Sequence, residues 1–309
     1  MQYIFKKNNL YGFVLGLSGY TVFVILDSII KLSLVDKYPV LQINFFICLF
    51  AFIPTLAVLA LSGSWNVLIN NKIHIQLFRG FLGIIAGAMV VNSFKYHSLT
   101  EIYPILFSAP LILTILSYFI LKEKVGIRRW VAVFIGFVGV LIVSRPGTIH
   151  FTIPLFGLFI AAIMASLQVI IIRQYANTQS SLAFAFYGTV SGLFTSGIFT
   201  SQNFISVSSV DLVIFIICGV IGGIGALCIS EASKILESSV YAPIQYIQIV
   251  LGFIMGYIFF RDLPDIFEII GSIVIILSGL FIIYRENKLN IRPFLSKKSR
   301  MRDIFFRGH

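Results

Sequence analysis

The chain has 309 residues, of which 58% are hydrophobic and 11% charged. In soluble domains about a quarter of all residues are charged. The lower fraction here excludes a soluble globular protein and indicates an integral membrane protein. The net charge of +11 does not indicate nucleic-acid binding here, because the segment Arg285–His309 holds eight of the 23 Lys and Arg. A basic tail next to a membrane span is typical of contact with anionic lipid headgroups.

Ten apolar segments of membrane-spanning length follow one another along the chain. A helical span needs about 20 residues, so ten of them leave short loops and no room for a soluble catalytic domain. We predict helical spans at residues 10–34, 40–62, 75–94, 99–121, 127–144, 152–173, 182–201, 210–233, 239–260 and 264–284. The first segment is not followed by an A-x-A-like cleavage site, so we interpret it as a span and not as a signal peptide.

The sequence repeats itself at an offset of 139 residues, without a gap. This shift pairs Gly80 with Gly219, Gly83 with Gly222, Lys95 with Lys234, Pro104 with Pro243, Tyr118 with Tyr257 and Leu141 with Leu280. One offset that carries all of these identities indicates an internal repeat. We predict two five-helix units, 10–145 and 152–285, followed by a basic cytoplasmic tail, 286–309.

The number of spans in each unit decides how the two units are related. Five is odd, so the second unit must enter the membrane from the opposite side. The predicted fold is therefore an all-α polytopic membrane protein with ten transmembrane helices in two inverted-topology five-helix repeats. Many secondary transporters have this plan, with a binding site between the halves near the membrane midplane.

The distribution of Lys and Arg predicts the orientation in the membrane. With the amino terminus inside, the cytoplasmic segments hold 18 of the 23 basic residues and the outer segments hold five. Cytoplasmic loops carry an excess of Lys and Arg. We therefore predict that both termini are cytoplasmic.

The first span carries two charged residues at a depth where charge is costly. Asp27 and Lys31 are four residues apart, so they share a helical face, with Tyr20 about two turns away on that face. An ionised group in hydrocarbon costs several kcal/mol unless it is paired or faces water. Two interpretations stay open: a self-neutralised pair in which Lys31 reaches the interface, or a pair that faces a cavity and meets substrate or a proton.

Further polar residues stand near the end of the third span and inside the sixth. Asn92 and Tyr96 stand near the end of the third span. At the repeat offset Asp27 corresponds to Ser166, so the sixth span lacks the charged pair and offers Gln168 instead. We treat Asn92, Tyr96 and Gln168 as candidate cavity residues.

The fourth and ninth spans correspond in the repeat but differ in sequence. The fourth contains Pro104 and Pro110, and the ninth keeps Pro243 alone. A proline removes a backbone donor and locally kinks or loosens a helix. We therefore expect an irregular fourth span.

The ninth span also carries a polar stripe at positions i, i+4 and i+7. Its members are Tyr241, Gln245 and Gln248, and the corresponding positions of the fourth span are apolar: Ile102, Leu106 and Ala109. A purely architectural role should be shared by both repeats, whereas an asymmetric substrate needs asymmetric contacts. We interpret the stripe as cavity lining, with interhelical hydrogen bonding as the alternative.

Small residues keep register in the fifth and tenth spans. Ala132 and Gly139 correspond to Gly271 and Ser278, and each pair lies seven residues apart on one face. Such residues favour close helix packing. The seam could join the two halves or two protomers, so the sequence permits a monomer or a homodimer.

Three short motifs resemble those of a known transporter family. They are Phe78-Arg79-Gly80 at the third span, Lys122-Glu123-Lys124-Val125 before the fifth, and Ser144-Arg145-Pro146-Gly147 after it. Together with the repeat, they resemble the EamA-type branch of the drug/metabolite transporter superfamily. This resemblance implies ten helices, alternating access, and a central cavity lined mainly by the first, third, fourth, sixth, eighth and ninth spans.

Other motifs are similar to a bacterial subgroup described as S-adenosylmethionine uptake transporters. They are Asp27-Ser28-Ile29-Ile30-Lys31, Tyr38-Pro39 and Ala242-Pro243-Ile244-Gln245-Tyr246. The resemblance implies the inner (plasma) membrane of a bacterium. One departure bears on the substrate, because that subgroup commonly has Arg early in its second span, where this chain has Asn44-Phe45-Phe46-Ile47-Cys48.

We therefore predict a secondary carrier for a small polar organic metabolite, either S-adenosylmethionine-like or amino-acid-like. The sequence contains no G-x-x-x-x-G-K-[ST] run, which disfavours an ATP-driven pump. Its four His are scattered and no H-E-x-x-H or G-x-S-x-G occurs, so we expect no enzyme, catalytic residue, metal site or cofactor. A flippase for a lipid or a lipid-linked sugar is the alternative. The expected partners are the small-molecule substrate and the lipid bilayer.

Overall fold

The structure is a computed structural model that describes residues 7–69, 72–120, 126–146, 152–175, 180–236 and 244–288. The regular elements in these ranges are helices. In chain order they are α1 (Lys7–Ser33), α2 (Val40–Ser62), α3 (Ile73–Ser93), α4 (Leu99–Leu106), α5 (Ala109–Ile120), α6 (Ile127–Ser144), α7 (Ile153–Tyr175), α8 (Ser181–Thr200), α9 (Ser209–Ile235), α10 (Ile247–Met255) and α11 (Ile266–Lys288). A 3-10 helix (Trp65–Leu68) precedes α3, and a π-helical turn (Gly256–Phe260) follows α10.

The helices confirm the ten predicted spans. Among the described residues, eight segments are long and apolar enough to cross a membrane, and two shorter apolar segments, Ile247–Phe260 and Ile266–Ile282, supply the ninth and tenth. The fourth span, Leu99–Ile120, consists of α4 and α5. The description of the ninth span begins at Ile244, because residues 237–243 lie outside the described ranges.

Helix packing follows the two repeats. α1 packs against α9 as its counterpart α7 packs against α3, and α2 packs against α9 as α8 packs against α3. The corresponding pairs α2 with α8, and α6 with α11, contact each other directly. This exchange of partners is the pattern expected of two units related by a pseudo-two-fold axis. We call the end of the bundle that carries His97 the His97 end, and the opposite end, which carries Lys72, the Lys72 end.

Corresponding glycines make corresponding helix contacts. A Cβ on Gly80 of α3 would lie 2.5 Å from the Cβ of Ser191 on α8. Its repeat partner Gly219 on α9 packs in the same way against Phe50 of α2. These positions need glycine because any side chain would separate helices from different halves.

The small residues of the fifth and tenth spans form a seam inside one chain. A Cβ on Gly139 of α6 would lie 3.0 Å from the carbonyl oxygen of Gly271 on α11, and a Cβ on Gly271 would lie 2.7 Å from that of Gly139. The predicted packing seam therefore joins the two halves.

Polar contacts at the His97 end connect the halves. The Gln42 side chain donates from Nε2 to the carbonyl oxygen of Ile205 (2.6 Å) and accepts from the Ile205 N–H at Oε1 (2.9 Å). Lys37 forms a salt bridge of 2.8 Å with Asp211, and this hydrogen bond raises the pKa of Lys37. The start of α2 is thereby attached to the segment that leads into α9.

A second cross-repeat salt bridge lies at the same end. The Arg145 guanidinium, after α6, contacts the Asp265 carboxylate, which precedes α11. Partial burial favours the neutral acid, but the N–H of Glu268 and the Arg145 guanidinium donate to the carboxylate and leave the pKa of Asp265 below its usual value. Both side chains are partly exposed, so the contribution to stability is small.

Candidate functional site

The fourth span is broken near its middle. α4 ends at Leu106 and α5 begins at Ala109, with a turn between them. Pro110 has no N–H to donate to the carbonyl of Leu106, so the helical ladder is interrupted there. The chain turns instead through a hydrogen bond of 3.0 Å from the Ser108 N–H to the Ile105 carbonyl. The irregular fourth span predicted from its prolines is confirmed.

The ninth span is broken at the corresponding place. Residues 244–245 are helical, Tyr246 forms a turn, and α10 begins with the next residue. Tyr246 corresponds to Phe107 at the repeat offset, and their ring centroids lie 5.6 Å apart. The Tyr246 hydroxyl is buried against Gly279 of α11, where a Cβ would overlap it. The two breaks therefore meet across the pseudo-two-fold axis.

Asp27 lies beside these breaks. Its Oδ2 accepts a hydrogen bond of 2.9 Å from the hydroxyl of Tyr103 on α4. The Tyr103 ring is 2% exposed and packs so closely on Gly252 of α10 that a Cβ there would overlap the ring. Asp27 stands six residues before Ser33, the end of α1, which is about 9 Å along the helix. A carboxylate is thus placed inside the membrane where α1, α4 and α10 meet.

Lys31 does not pair with Asp27, so the predicted ion pair is wrong. Lys31 Nζ donates to the carbonyl oxygens of Phe94 (2.9 Å) and His97, and lies 5.3 Å from the centroid of the Phe260 ring. Within the described residues no salt bridge joins Lys31 to Asp27. Carbonyls at a helix C-terminus carry partial negative charge, so they attract the ammonium to the His97 end and leave Asp27 with Tyr103.

His97 organises the turn that receives Lys31. Its buried ring lies 2.8 Å from Glu101 Oε2 through Nδ1 and contacts the hydroxyl of Thr152 through Nε2. Thr152 precedes α7, so this contact joins the two repeats. His97, one of the four scattered histidines of the sequence, is thus paired with an acidic residue. The signal that could have found the pair is the i, i+4 spacing of His97 and Glu101 in a helical region.

The other candidate residues are spread along the bundle. Tyr20 is buried against Leu236 and Ile244, about 10 Å from Asp27 towards the Lys72 end. Gln168 on α7 reaches across to α3, where its Oε1 would be 3.2 Å from a Cβ on Gly83. Neither side chain lies with the Asp27–Tyr103 pair.

Two candidates belong to the His97 end. Asn92 is half-buried in the last turn of α3, and Tyr96 is 63% exposed in the turn that follows. Their position separates them from the paired breaks.

The polar stripe of the ninth span flanks its break. Gln245 precedes Tyr246 and Gln248 lies in the first turn of α10; both are half-buried, and neither makes a hydrogen bond to another described residue. Tyr241 lies outside the described residues. The two amides thus lie beside the meeting point of the breaks with unused hydrogen-bonding capacity towards the rest of the described chain.

The two five-helix units each match the same family of known transporters. The EamA-like transporter family matches residues 10–145 and 152–285. The chain belongs to the EamA-like transporter family. It is therefore a multi-pass membrane transporter and not an enzyme.

Several curated relatives of this EamA-like transporter cover most of its length. An S-adenosylmethionine uptake transporter of Rickettsia prowazekii is 28% identical over 247 residues, which is 80% of this chain and 84% of that protein. A riboflavin transporter of Vibrio cholerae is 23% identical and matches 93% of this chain and 97% of its own. A protein crystal structure with 14% identity matches with a TM-score of 0.65 over 90% of this chain and 96% of that one, which supports the fold alone.

Proposed function

We propose that this EamA-like transporter is a secondary carrier of a small polar organic metabolite that bears a cationic group. S-adenosylmethionine-like and amino-acid-like solutes are the first candidates. The observation that carries the proposal is the Asp27–Tyr103 pair (2.9 Å) beside the two broken spans. Discontinuous helices at the midplane are where transporters of this plan place their substrates.

The residues around the breaks supply the chemistry that such a solute needs. Asp27 can bind an ammonium group, and the rings of Tyr103, Phe107 and Tyr246 offer faces that attract cations. The amide of Gln248 can both donate and accept. A carboxylate inside the membrane needs a partner, and a cationic substrate provides one.

Of the relatives, the rickettsial protein supports the same chemical class. The rickettsial relative is described as a transporter of S-adenosylmethionine, a solute with an ammonium group, a sulfonium group and a carboxylate. The segment Asn44–Cys48 stands where that subgroup commonly has Arg, and its amide side chain, that of Asn44, is buried over Gly87 of α3. An amide binds a carboxylate less strongly than a guanidinium does. We therefore expect a weaker demand for a carboxylate on the substrate.

The helix packing supports a transport cycle by alternating access. Each half contributes one broken span, and the breaks can act as hinges because their helical ladders are already interrupted. Rocking one helix bundle against the other around the fixed Asp27 site would expose it alternately at the His97 end and the Lys72 end. No part of this cycle requires ATP.

The proposed location is the inner (plasma) membrane of a bacterium, with the Lys72 end and both termini in the cytoplasm. The support is the excess of Lys and Arg in segments at that end. One chain contains both broken spans and the Asp27–Tyr103 pair, which supports a monomer as the transporting unit; a homodimer would contain two such sites.

Uptake into proteoliposomes tests the proposal. The purified chain is reconstituted and offered labelled S-adenosylmethionine, a panel of amino acids, and riboflavin as the uncharged competitor. We expect saturable uptake of a cationic member of the panel that excess unlabelled solute abolishes. The Asp27→Asn protein, which keeps the shape of the side chain, should lose this uptake.

Two results would overturn the proposal. One is uptake of riboflavin alone, and the other is movement of a fluorescent lipid between leaflets without uptake of any panel member. The second result would establish the flippase.

A further inference from the structure

A surface groove of about 400 Å³ lies between α6 and α11. Its floor contains Ala132 and Ser278, which are buried, and its walls carry exposed apolar side chains such as Ile135 and Leu277. All of the lining residues belong to these two helices. The groove therefore follows the outer side of the seam between the halves and is separate from the Asp27–Tyr103 site.

The groove has a charged mouth at the Lys72 end. Arg128, in the first turn of α6, lines it and is exposed. Trp130 on α6 and Tyr284 on α11 stand at the same end of the two helices, and aromatic residues of this kind concentrate at the membrane–water interface. Arg128 is thus at headgroup level, whereas Ile135 and Leu277 lie deeper, among acyl chains.

We propose that this groove is a binding site for one anionic phospholipid. An acyl chain would lie along the apolar walls, and the phosphate would accept hydrogen bonds from the Arg128 guanidinium, whose planar fork matches phosphate oxygens. Basic pockets between transmembrane helices bind anionic headgroups.

A second copy of the chain fits the groove less well than a lipid. A two-fold axis along the membrane normal would bring the same patch of both copies together. The two Arg128 side chains would then lie at the same depth on facing surfaces, where like charges repel. A phospholipid instead supplies the opposite charge at the mouth and hydrocarbon below it. Because α6 and α11 come from different repeats, the bound lipid would contact both halves.

Fluorescence quenching by brominated lipid tests this site directly. The chain has two Trp; Trp65→Phe and Trp130→Phe remove them, and Phe281→Trp places a single reporter in the lining of the groove. The full chain is reconstituted in phosphatidylcholine vesicles with increasing fractions of brominated phosphatidylglycerol, or of brominated phosphatidylcholine. We expect phosphatidylglycerol to bind about fivefold more tightly, since one basic residue near an anionic surface contributes about 1 kcal/mol.

Two matched pairs of variants assign the binding to the groove. Arg128→Gln should abolish the preference for phosphatidylglycerol, whereas Lys72→Gln, at the same end beside Tyr175, should retain it. Ile135→Phe fills the groove and should reduce quenching by both lipids, whereas Val138→Phe, on the same helix but outside the groove, should not. An unchanged preference in Arg128→Gln, or equal effects of the two Phe variants, would overturn the proposal. So would a dimer in the wild type that Ile135→Phe dissociates without a change in quenching.

Discussion

The fourth and ninth spans occupy corresponding places in the two repeats but reach their shared shape in different ways. The fourth is broken where Pro110 removes a backbone donor. The ninth is broken at Tyr246 although Ile249, which corresponds to Pro110, donates its N–H to the Tyr246 carbonyl at 3.1 Å. Packing of Phe107 against Tyr246 thus accompanies a break with or without proline. The comparison shows that the repeats share geometry while their chemistry differs.

The chemical difference lies in the side chains that flank the breaks. The ninth span presents Gln245 and Gln248 where the fourth has Leu106 and Ala109. The fourth span in turn supplies Tyr103, whose hydroxyl reaches Asp27. The following substitutions make one span more like the other, or remove the residue between them.

The largest effect is expected from Gly252→Leu, which gives the ninth span the residue of the fourth, Leu113. The Tyr103 ring occupies the space of any side chain at Gly252. Overpacking costs about 1–3 kcal/mol or more, so the melting temperature should fall by several degrees and transport should be lost. Val250→Leu, on a half-exposed face of α10, is the control. Normal transport by Gly252→Leu would show that the contact is not needed.

Asp27→Asn should reduce transport by at least tenfold and leave the protein folded. The amide keeps the contact with Tyr103 but cannot neutralise a cationic substrate. Lys31→Gln should have a smaller effect on transport, because Lys31 binds the carbonyls of Phe94 and His97 and not Asp27. Initial uptake rates of the two variants at equal protein levels decide the matter. A more severe defect in Lys31→Gln would move the site to the His97 end.

Gln245→Leu and Gln248→Ala convert the polar stripe of the ninth span into the residues of the fourth. If the amides contact substrate, apparent affinity should fall by about tenfold for each variant, which corresponds to about 1.4 kcal/mol. If they are interhelical hydrogen-bonding groups, the melting temperature should fall and the affinity of the folded protein should not. Both quantities are measured on the same preparations, so one experiment separates the two roles.

The smallest effect is expected far from the breaks, at Asp265. Its pKa is lowered in the folded protein, so its contribution is present above the pKa of the unfolded state, about 3.9, and is lost as pH falls through the folded value. Asp265→Asn, which keeps an N-cap acceptor, should lower stability by less than about 1 kcal/mol at neutral pH, because the pair is partly exposed. The melting temperatures of the wild type and the variant should converge below the folded-state pKa of Asp265. A difference that stays constant with pH would assign the loss of stability to the helix cap and not to the charge.

The spans, the repeat and the break at Pro110 could be predicted from sequence because each has a local signal. Apolar length identifies a span, one offset identifies the repeat, and proline identifies a missing donor. The break at Tyr246 has no such signal, because each of the four residues that follow Tyr246 has a backbone N–H. It could have been inferred by projecting Pro110 onto the second repeat.

Long-range contacts explain why the Asp27–Lys31 prediction failed. Spacing along one helix favours an i, i+4 pair, but it carries no information about partners on other helices that compete for the same side chains. Lys31 binds a carbonyl 63 positions away and Asp27 binds a hydroxyl 76 positions away. The sequence therefore identified both residues and the face that they share but not their partners.

The two-way hydrogen bond between Gln42 and Ile205 has a consequence for how the molecule can move. The side-chain amide of Gln42 binds both the N–H and the carbonyl of Ile205. It thereby attaches α2, from the first repeat, to the segment that leads into α9, from the second. α9 also packs along α1 and α2. In the proposed transport cycle, α1, α2 and α9 would move as one body and α3, α7 and α8 as its counterpart. In that cycle each moving body would take helices from both repeats, so the chain would pass between the two bodies within each repeat.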